Sequence, residues 1–207
     1  MRITRELKEQ QVNAFVFTGD GKTEARHLIA LCRKLNGNAK SLWFPKVPLT
    51  VNRKVTGLHA LKLLRGLIVK YELSRFLFLI DREHFSPKAC RKGKESEEAR
   101  DFLEKEIRVR IDAINELTPR YTFLFNGSLG SKSFELCLAI RGVNSNAEEE
   151  EALLIHLKLG AQVEPVDYKI RRFLRNSGIS EEGLITGSSI GKLKKAFPGL
   201  CGALEWV

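Results

Sequence analysis

The chain has 207 residues, of which 43% are hydrophobic and 29% charged, and 35 Lys and Arg against 25 Asp and Glu give a formal net charge of +10. This composition excludes a disordered chain, because enough apolar side chains are present to bury a core. No apolar run reaches the roughly 18 residues of a membrane-spanning helix, and the amino-terminal sequence MRITRELKEQQ lacks the apolar segment of a secretion signal. The sequence therefore predicts a cytoplasmic protein with no membrane partner.

Strand and helix patterns alternate in the first part of the chain. The sequence NAFVFTG predicts a strand at about 13–19, and apolar residues at helical spacing predict a helix at about 24–35. A strand at 40–44, a helix at 56–72 and a continuously apolar strand at 76–80 follow. An apolar run of that kind is typical of a central parallel strand that is buried on both faces.

The middle of the chain is predicted to contain a loop, a long helix and a strand. Residues 84–96 are polar and basic and include Pro87 and Gly93, which favours a loop. A strand is predicted at 121–125. Between them a helix at about 97–118 would direct four apolar side chains inward, namely Leu103, Ile107, Ile111 and Ile114.

The carboxy-terminal third has a helical pattern, with helices predicted at 147–160, 167–177 and 189–205. Alternating strands and helices followed by helices alone are typical of an α/β protein. We therefore predict a mostly parallel central sheet flanked by helices over residues 1–142, with a helical extension over 143–207 packed on it.

The cysteine and histidine residues do not form a metal-binding pattern. The four cysteines contain no CxxC pair, and a zinc ribbon or finger needs such closely spaced ligands. Cys32 and Cys137 lie inside apolar segments and are predicted to be buried, reduced thiols. The sequence gives no support for a cysteine nucleophile.

The charges are unevenly distributed along the chain. Residues 1–96 carry 20 basic and 8 acidic side chains, whereas residues 97–159 carry 8 basic and 12 acidic ones. Such an asymmetry favours a surface that faces a polyanion, most often a nucleic acid. The alternative is a generically basic protein with no partner of this kind.

Two acidic clusters follow predicted strands. Asp20 and Glu24 flank the turn after the first strand, and Asp81 and Glu83 come directly after the strand FLFLI. If the two strands are neighbours, about 4.8 Å apart, their terminal carboxylates converge at the edge where open parallel sheets bind ligands. The i, i+2 spacing of Asp81 and Glu83 would point both acids the same way in an extended segment.

Converging carboxylates repel each other, and a hard divalent cation such as Mg²⁺ relieves that repulsion. The acidic clusters therefore predict a metal site. For each acid taken singly, the alternative is an ordinary role as a turn residue or helix N-cap.

Three short motifs resemble those of Toprim domains, the fold shared by topoisomerases, primases and OLD-type nucleases. Residues 19–24, GDGKTE, are similar to the EGxTE signature, and residues 78–83, FLIDRE, are similar to the DxD motif. Residues 131–138, SKSFELCL, are similar to the NPxFExWL segment of the RloB-like branch. The motifs occur in the expected order, and the resemblance spans about residues 12–142.

The resemblance implies a nuclease or a related phosphoryl-transfer enzyme that uses Mg²⁺ or Mn²⁺ and acts on DNA or RNA. It implies that Asp20 is a general acid/base or a metal ligand and that Asp81 and Glu83 are metal ligands. Glu24 and Glu135 would be supporting catalytic carboxylates. A homodimer or a partner ATPase is a further expectation that comes with the family.

The sequence departs from the family's pattern at several positions. Asp20 stands where Glu is usual, Glu83 replaces the second Asp, and the third motif lacks its Pro and has Cys137 in place of Trp. Exchanging Glu for Asp moves the carboxylate oxygen by about 1 Å, a displacement to which catalysis is sensitive. These departures favour an alternative, a non-catalytic nucleic-acid-binding or scaffold protein on a degenerate Toprim core. A primase- or ligase-like enzyme is a weaker alternative, because the chain has no phosphate-cradling glycine-rich loop.

Basic side chains accompany the acidic motifs and recur near the carboxyl terminus. Placed near the metal or on an exposed helix face, they would contact nucleic-acid phosphates. Solvated side chains without a partner are the alternative. The predicted nucleic-acid-binding residues are Lys22, Lys88, Arg91, Lys92, Lys94, Arg171, Arg172 and Arg175.

Overall fold

The fold is known from a computed structural model that describes residues 1–5, 12–19, 23–45 and 56–207, without the side chains of Thr23 and Glu24. This part of the chain contains one seven-stranded sheet. From one edge to the other the strands are β1 (Arg2–Thr4), β3 (Ser41–Trp43), β2 (Ala14–Thr18), β4 (Arg75–Asp81), β7 (Lys132–Arg141), β6 (Thr122–Leu129) and β5 (Arg110–Thr118).

Helices cover both faces of the sheet. They are α1 (Thr23–Lys34), α2 (Leu63–Tyr71), α3 (Pro87–Lys92), α4 (Glu95–Phe102), α5 (Ala147–Leu159), α6 (Asp167–Asn176), α7 (Glu181–Thr186), α8 (Ile190–Ala196) and α9 (Pro198–Trp206). Two 3₁₀ segments, Gly57–Lys62 and Arg82–His84, and a π-helical turn, Leu103–Ile107, complete the helical structure. Among the residues described, none of the helices is long and apolar enough to cross a membrane.

The sheet is mixed, so the predicted mostly parallel sheet is corrected. β1, β3, β2, β4 and β7 pair in parallel, whereas β6 pairs antiparallel with both β7 and β5. Hairpins join the last three strands, and antiparallel strands need no helical crossover between them. The expectation of a mostly parallel sheet fails because the segment that forms β5 was predicted to be helical.

The central strands were correctly predicted. Residues 76–80 of β4 are completely buried, because helices cover both faces of the sheet at this point. The predicted strands at 13–19 and 40–44 correspond to β2 and β3. The predicted helix at 24–35 is α1, and the helical segment expected at 56–72 is a 3₁₀ turn followed by α2.

The predicted helix at 97–118 is wrong in its second half. The helical conformation ends at Arg108, which has a φ of 61°, and β5 begins at Arg110. Ile107 and Ile111 are four residues apart, which suits a helix, but they lie on either side of this break. Pairing of β5 with β6 across their hairpin decides the conformation, and the apolar periodicity of the β5 segment alone does not reveal that pairing.

The loop predicted at 84–96 is also wrong, because it contains α3 and the start of α4. The side chain of Ser86 caps α3 by accepting a hydrogen bond from the backbone N–H of Ala89, and Pro87 occupies the first turn. Gly93, with a φ of 64°, ends the helix. Pro and Gly here mark the start and the end of a helix, a recurrent use of both residues.

The carboxy-terminal helices share one core with the sheet. Apolar side chains from α1 and from α5 to α9 pack on the face that carries Val16, Leu79 and Ala139, while α2 and α4 pack on the other face. The predicted helices 147–160 and 167–177 are confirmed as α5 and α6, whereas 189–205 forms two helices, α8 and α9, interrupted at Phe197. The division into domains at residue 142 stays a prediction.

Close packing of α9 on β7 gives a test of the fold. A Cβ on Gly199 would lie 2.2 Å from the carbonyl oxygen of Ile140, so α9 and β7 would have to move apart. We expect Gly199→Ala to lower the free energy of unfolding by about 1–3 kcal/mol in urea denaturation. The matched control is Gly191→Ala in α8, where no atom lies within 4 Å of the added Cβ and helix propensity predicts a gain of about 1 kcal/mol. Equal stabilities of the two variants would contradict the packing of α9 on β7.

Candidate functional site at the carboxyl edge of the sheet

The candidate site begins where β2 and β4 end side by side. The two strands are parallel neighbours, with Thr18 opposite Leu79, and the backbone N–H of Gly19 donates to the carbonyl oxygen of Leu79 at 2.7 Å. Asp81 is the last residue of β4. The prediction that these two strands are neighbours is therefore confirmed. Their carboxyl ends lie at the edge of the sheet at which open α/β folds bind their ligands.

Part of the predicted site lies outside the described residues. Asp20 and Lys22 fall in the segment 20–22, and of Glu24 only the backbone, in the first turn of α1, is described. The predicted approach of Asp20 to Asp81 therefore stays a prediction.

Asp81 is buried, whereas Glu83 is exposed. Asp81 is only 7% exposed and pairs in the sheet with Arg141, the last residue of β7. Because in-register neighbours point to the same face, both side chains lie on the face that α1 and α5 cover. Glu83 lies in the 3₁₀ segment Arg82–His84, so the expectation that Asp81 and Glu83 extend in parallel from one extended segment is wrong.

Arg82, between the two acids, fixes the backbone that follows β4. Its guanidinium is buried, forms an ion pair with buried Glu95 of α4, and donates to the carbonyl oxygens of Gly142 and Arg120 at 3.3 and 2.9 Å. The ion pair and two hydrogen bonds tie the end of β4 to α4, to the end of β7 and to the β5–β6 turn. This anchoring holds Asp81 in one place.

A buried polar network lies on the α1 and α5 side of the same edge. His27 of α1 is fully buried, and its Nε2 lies 2.5 Å from Oε1 of Glu151 in α5 and 3.2 Å from Oε1 of Glu181 in α7. Nδ1 of His27 lies 2.6 Å from Nη2 of Arg141. Arg141 also binds Glu150 at 2.5 Å, and both of these side chains are fully buried. The network therefore reaches the in-register neighbour of Asp81.

The hydrogen bonds assign the proton of neutral His27. A guanidinium carries donors only, so Arg141 donates to Nδ1, and Nε2 carries the proton that it donates to Glu151. Burial lowers the pKa of His27, but hydrogen bonds to Glu151 and Glu181 more than offset this, and the pKa lies above its usual value.

The pKa values of Glu150 and Glu181 are shifted in opposite directions. Burial raises the pKa of Glu150, and the attraction of Arg141 reverses this only in part. Burial also acts to raise the pKa of Glu181, but its hydrogen bond to His27 and the charges of His27 and Arg26 outweigh that effect and lower it. The ionised form of Glu181 is thus favoured.

His27, Glu151 and Glu181 could hold a metal ion, since their three ligand atoms lie within 4.8 Å of one another. Sequence reasoning missed this cluster because its members belong to three different helices. In the sequence, Glu150 and Glu151 belong to the acidic run Glu148–Glu151. The fold turns Glu150 and Glu151 of that run inwards.

Glu135 lies at the opposite end of the sheet from Asp81. It pairs with Arg75 at the start of β4 and accepts a hydrogen bond from Nε of Arg75 at 2.9 Å. Arg75 and Asp81 lie six positions apart in β4, a distance of roughly 20 Å along the strand. The structure therefore does not bring Glu135 together with the acids at the carboxyl edge, and Glu135 is no part of the site proposed below.

The basic residues predicted after the second motif are exposed on and beside α3. Lys88, Arg91 and Lys92 project from α3 and form no ion pair within the described residues, whereas Lys94 pairs with Glu97 at 2.7 Å. The sulfur atom of Cys90 lies 3.6 Å from the carbonyl oxygen of Arg82, which holds α3 close to the end of β4.

A second exposed basic group lies on α6, which packs on α5. Arg171, Arg172 and Arg175 are all exposed, and Arg171 pairs with Asp167 at 2.8 Å. The charge of Arg171 also acts on Glu181, which places α6 at the border of the His27 network. The structure thus places one basic helix on each side of the carboxyl edge.

The four cysteines are free, and Cys32 and Cys137 are buried, as predicted. Burial raises the pKa of the Cys32 thiol to about 12, and burial also raises the pKa of the Cys137 thiol. Both thiols therefore stay protonated near neutral pH, which removes them from nucleophilic chemistry.

Comparison of the chain with protein-family models, with curated proteins and with solved structures gave no match. The Toprim resemblance stays a prediction from three short motifs, and so do the homodimer and the partner ATPase that it implies. A function has to be proposed from the residues at the carboxyl edge.

Proposed function

We propose that the chain is a metal-dependent nuclease, or a related phosphoryl-transfer enzyme, that acts on nucleic acid at the carboxyl edge of its sheet. The supporting observation is the parallel pairing of β2 with β4. It sets Gly19 beside Ile80, and Asp20 and Asp81 are the residues that follow them in the sequence. In this proposal the fold retains a Toprim-like arrangement of the two acidic strand ends.

In the proposed site, Asp20, Asp81 and Glu83 would hold Mg²⁺ or Mn²⁺, because hard divalent cations prefer carboxylate oxygens. The donor set of Asp81 and Glu83 fits such an ion, and a buried carboxylate needs positive charge nearby. Arg141, the in-register neighbour of Asp81 on β7, binds Glu150 and contacts His27. When bound, such a cation supplies charge stabilisation at a scissile phosphate and a bound, activated water.

The chain's own residues position the site and the substrate. The buried Arg82–Glu95 pair fixes the backbone that directly follows Asp81. The exposed cations of α3 would bind phosphates of the nucleic-acid backbone close to that carboxylate. Glu24 would support the site from the first turn of α1.

The contribution of α3 is measured by the salt dependence of binding. The slope of log K against log salt is negative, and each phosphate contact that is lost reduces its magnitude by about 0.7–0.9. Replacing Lys88, Arg91 and Lys92 by Gln is therefore expected to reduce the magnitude of the slope by about 2–3. Fluorescence anisotropy with labelled DNA and RNA over a range of salt concentrations measures this slope. The matched control replaces Arg100, Lys105 and Arg110, three exposed basic residues that each pair with an acid, and changes the net charge equally. Equal losses in both triple variants would contradict a binding surface on α3.

The proposed activity is tested with labelled single-stranded DNA, double-stranded DNA and RNA. Incubation with Mg²⁺ or Mn²⁺ is expected to give cleavage products, and EDTA is expected to abolish them. The absence of cleavage of all three substrates with either metal would contradict the proposal.

The burial of Asp81 favours a second candidate function. A carboxylate that is 7% exposed is poorly placed to act on a phosphate unless the edge opens, which suits a non-catalytic nucleic-acid-binding or scaffold protein. This candidate predicts salt-dependent binding that survives both EDTA and Asp81→Asn, with no cleavage under either condition.

A further inference from the structure

We propose that His27, Glu151 and Glu181 form a separate cation site, selective for a transition metal of the Zn²⁺ type, between α1, α5 and α7. This site is distinct from the carboxylate site proposed at Asp81, because it has a nitrogen ligand and its own set of side chains. An imidazole with two carboxylates suits Zn²⁺, whereas Mg²⁺ is usually bound through oxygen ligands and retained waters.

The positions of the ligand atoms support the proposal. Nε2 of His27 lies 2.5 and 3.2 Å from the two carboxylate oxygens, and all three atoms lie within 4.8 Å of one another. A tetrahedral Zn²⁺ with bonds of about 2.1 Å separates its ligand atoms by about 3.4 Å. Carboxylate shifts on the order of 1 Å therefore convert the hydrogen-bonded cluster into a coordination sphere.

The two carboxylates at His27 also suit a cation. Glu151 and Glu181 both lie within 3.2 Å of Nε2 of the buried imidazole, and Arg26 lies 3.3 Å from Glu181. A divalent cation that takes the place of the Nε2 proton would lie against both carboxylates, so the buried charges would stay paired.

Glu181 provides the route by which an ion enters. The side chains of His27 and Glu151 are 0% and 4% exposed, but that of Glu181 is 22% exposed at the start of α7. The coordination position left by the three protein ligands would face the solvent on this side. A site of three protein ligands with one open position is an arrangement that zinc adopts in proteins.

Arg141 sets a limit on the affinity of this site. Coordination of a metal through Nε2 requires the proton of His27 to move to Nδ1. Nη2 of Arg141 lies 2.6 Å from Nδ1, and because a guanidinium can only donate, it would then face a second donor. Arg141 must therefore turn away from His27 towards Glu150, which it already binds. A hydrogen-bonded network that holds no metal is the competing interpretation, and the experiment separates the two.

The test is isothermal titration of the chelator-treated full-length protein with Zn²⁺, followed by the same titration with Mg²⁺. We expect one Zn²⁺ to bind with a Kd in the micromolar range or below, to raise the melting temperature, and to be unaffected by excess Mg²⁺. Glu181→Gln is expected to weaken Zn²⁺ binding at least about 10-fold. The matched control is Glu182→Gln, an adjacent exposed carboxylate that pairs with Arg33, which is expected to leave the affinity unchanged.

No Zn²⁺ binding by the unmodified protein, or the same affinity in both variants, would overturn the proposal. His27→Gln is measured alongside by circular dichroism, and if it folds it is expected to lose binding completely. Asp81→Asn is expected to keep this Zn²⁺ site. Failure of the zinc site is therefore distinguishable from failure of the proposed nuclease, whose readout is cleavage.

Discussion

Asp81→Asn is expected to lower metal-dependent cleavage of nucleic acid by roughly 100-fold or more while leaving the fold intact. The amide has the size of the carboxylate but lacks its charge, so the proposed site loses a metal ligand. Changes to groups that only orient metal ligands cost about 10–100-fold, so the loss of a ligand itself is expected to cost at least as much. Initial rates over a range of Mg²⁺ and Mn²⁺ concentrations measure the effect, and circular dichroism checks the fold.

The control for this variant is Asp101→Asn. Asp101 lies on α4, is 61% exposed and pairs with Lys105 at 2.7 Å, so the same chemical change is made away from the sheet edge. We expect this control to cleave at the rate of the unmodified protein. Equal rates for Asp81→Asn and Asp101→Asn would show that Asp81 has no part in the reaction.

Arg141→Leu is expected to lower the free energy of unfolding by about 3–5 kcal/mol, the largest stability effect expected of one substitution here. Arg141 and Glu150 are both fully buried and bind each other at 2.5 Å. Removing the guanidinium leaves the carboxylate of Glu150 buried without its principal positive partner, and takes the donor away from Nδ1 of His27. Urea denaturation followed by circular dichroism measures the loss.

The double variant Arg141→Leu/Glu150→Leu separates the cost of the buried charge from the loss of packing. Because a buried ion pair can often be replaced by apolar residues at little cost, we expect the double variant to recover most of the lost stability. The exposed pair Arg100 and Glu104 is the control, and Arg100→Leu is expected to change stability by no more than about 0.5 kcal/mol. Additive losses in the double variant would contradict the charge-based explanation.

Much of the parallel part of the sheet could be predicted because its strands carry strong local signals. The run Phe76–Ile80 is apolar without interruption, and only a strand with both faces covered needs that composition. The region of β5 carries no such signal. Ile107, Ile111 and Ile114 fit a helix as well as a strand, and the helix ends at Arg108, a residue with no special preference for its φ of 61°.

The part of the candidate site that could be predicted is the part that follows from the order of the strands in the sheet. The acids at the ends of β2 and β4 could be expected to lie near each other once the strands were taken as neighbours. Glu135 could not be placed in this way, because its motif does not reveal whether it opens or ends its strand. It lies near the start of β7, and a parallel strand places that end far from Asp81.

The His27 network was beyond reach of sequence reasoning for a different reason. His27, Glu151 and Glu181 come from three helices whose relative rotation depends on how their apolar faces pack on the sheet. Spacing within one helix cannot bring them together. Only the tertiary structure shows that Glu151 is buried among them and that Glu148, in the same acidic run, is not.

A crystal structure of the protein soaked in Mn²⁺, with anomalous data, tests the proposed metal site most directly. We expect an anomalous peak at the carboxyl edge within coordination distance of the Asp81 carboxylate, with Asp20 as a second ligand. If the Asp81 carboxylate contacts only arginine side chains, and no peak is found between the ends of β2 and β4, the proposed metal-dependent site is contradicted.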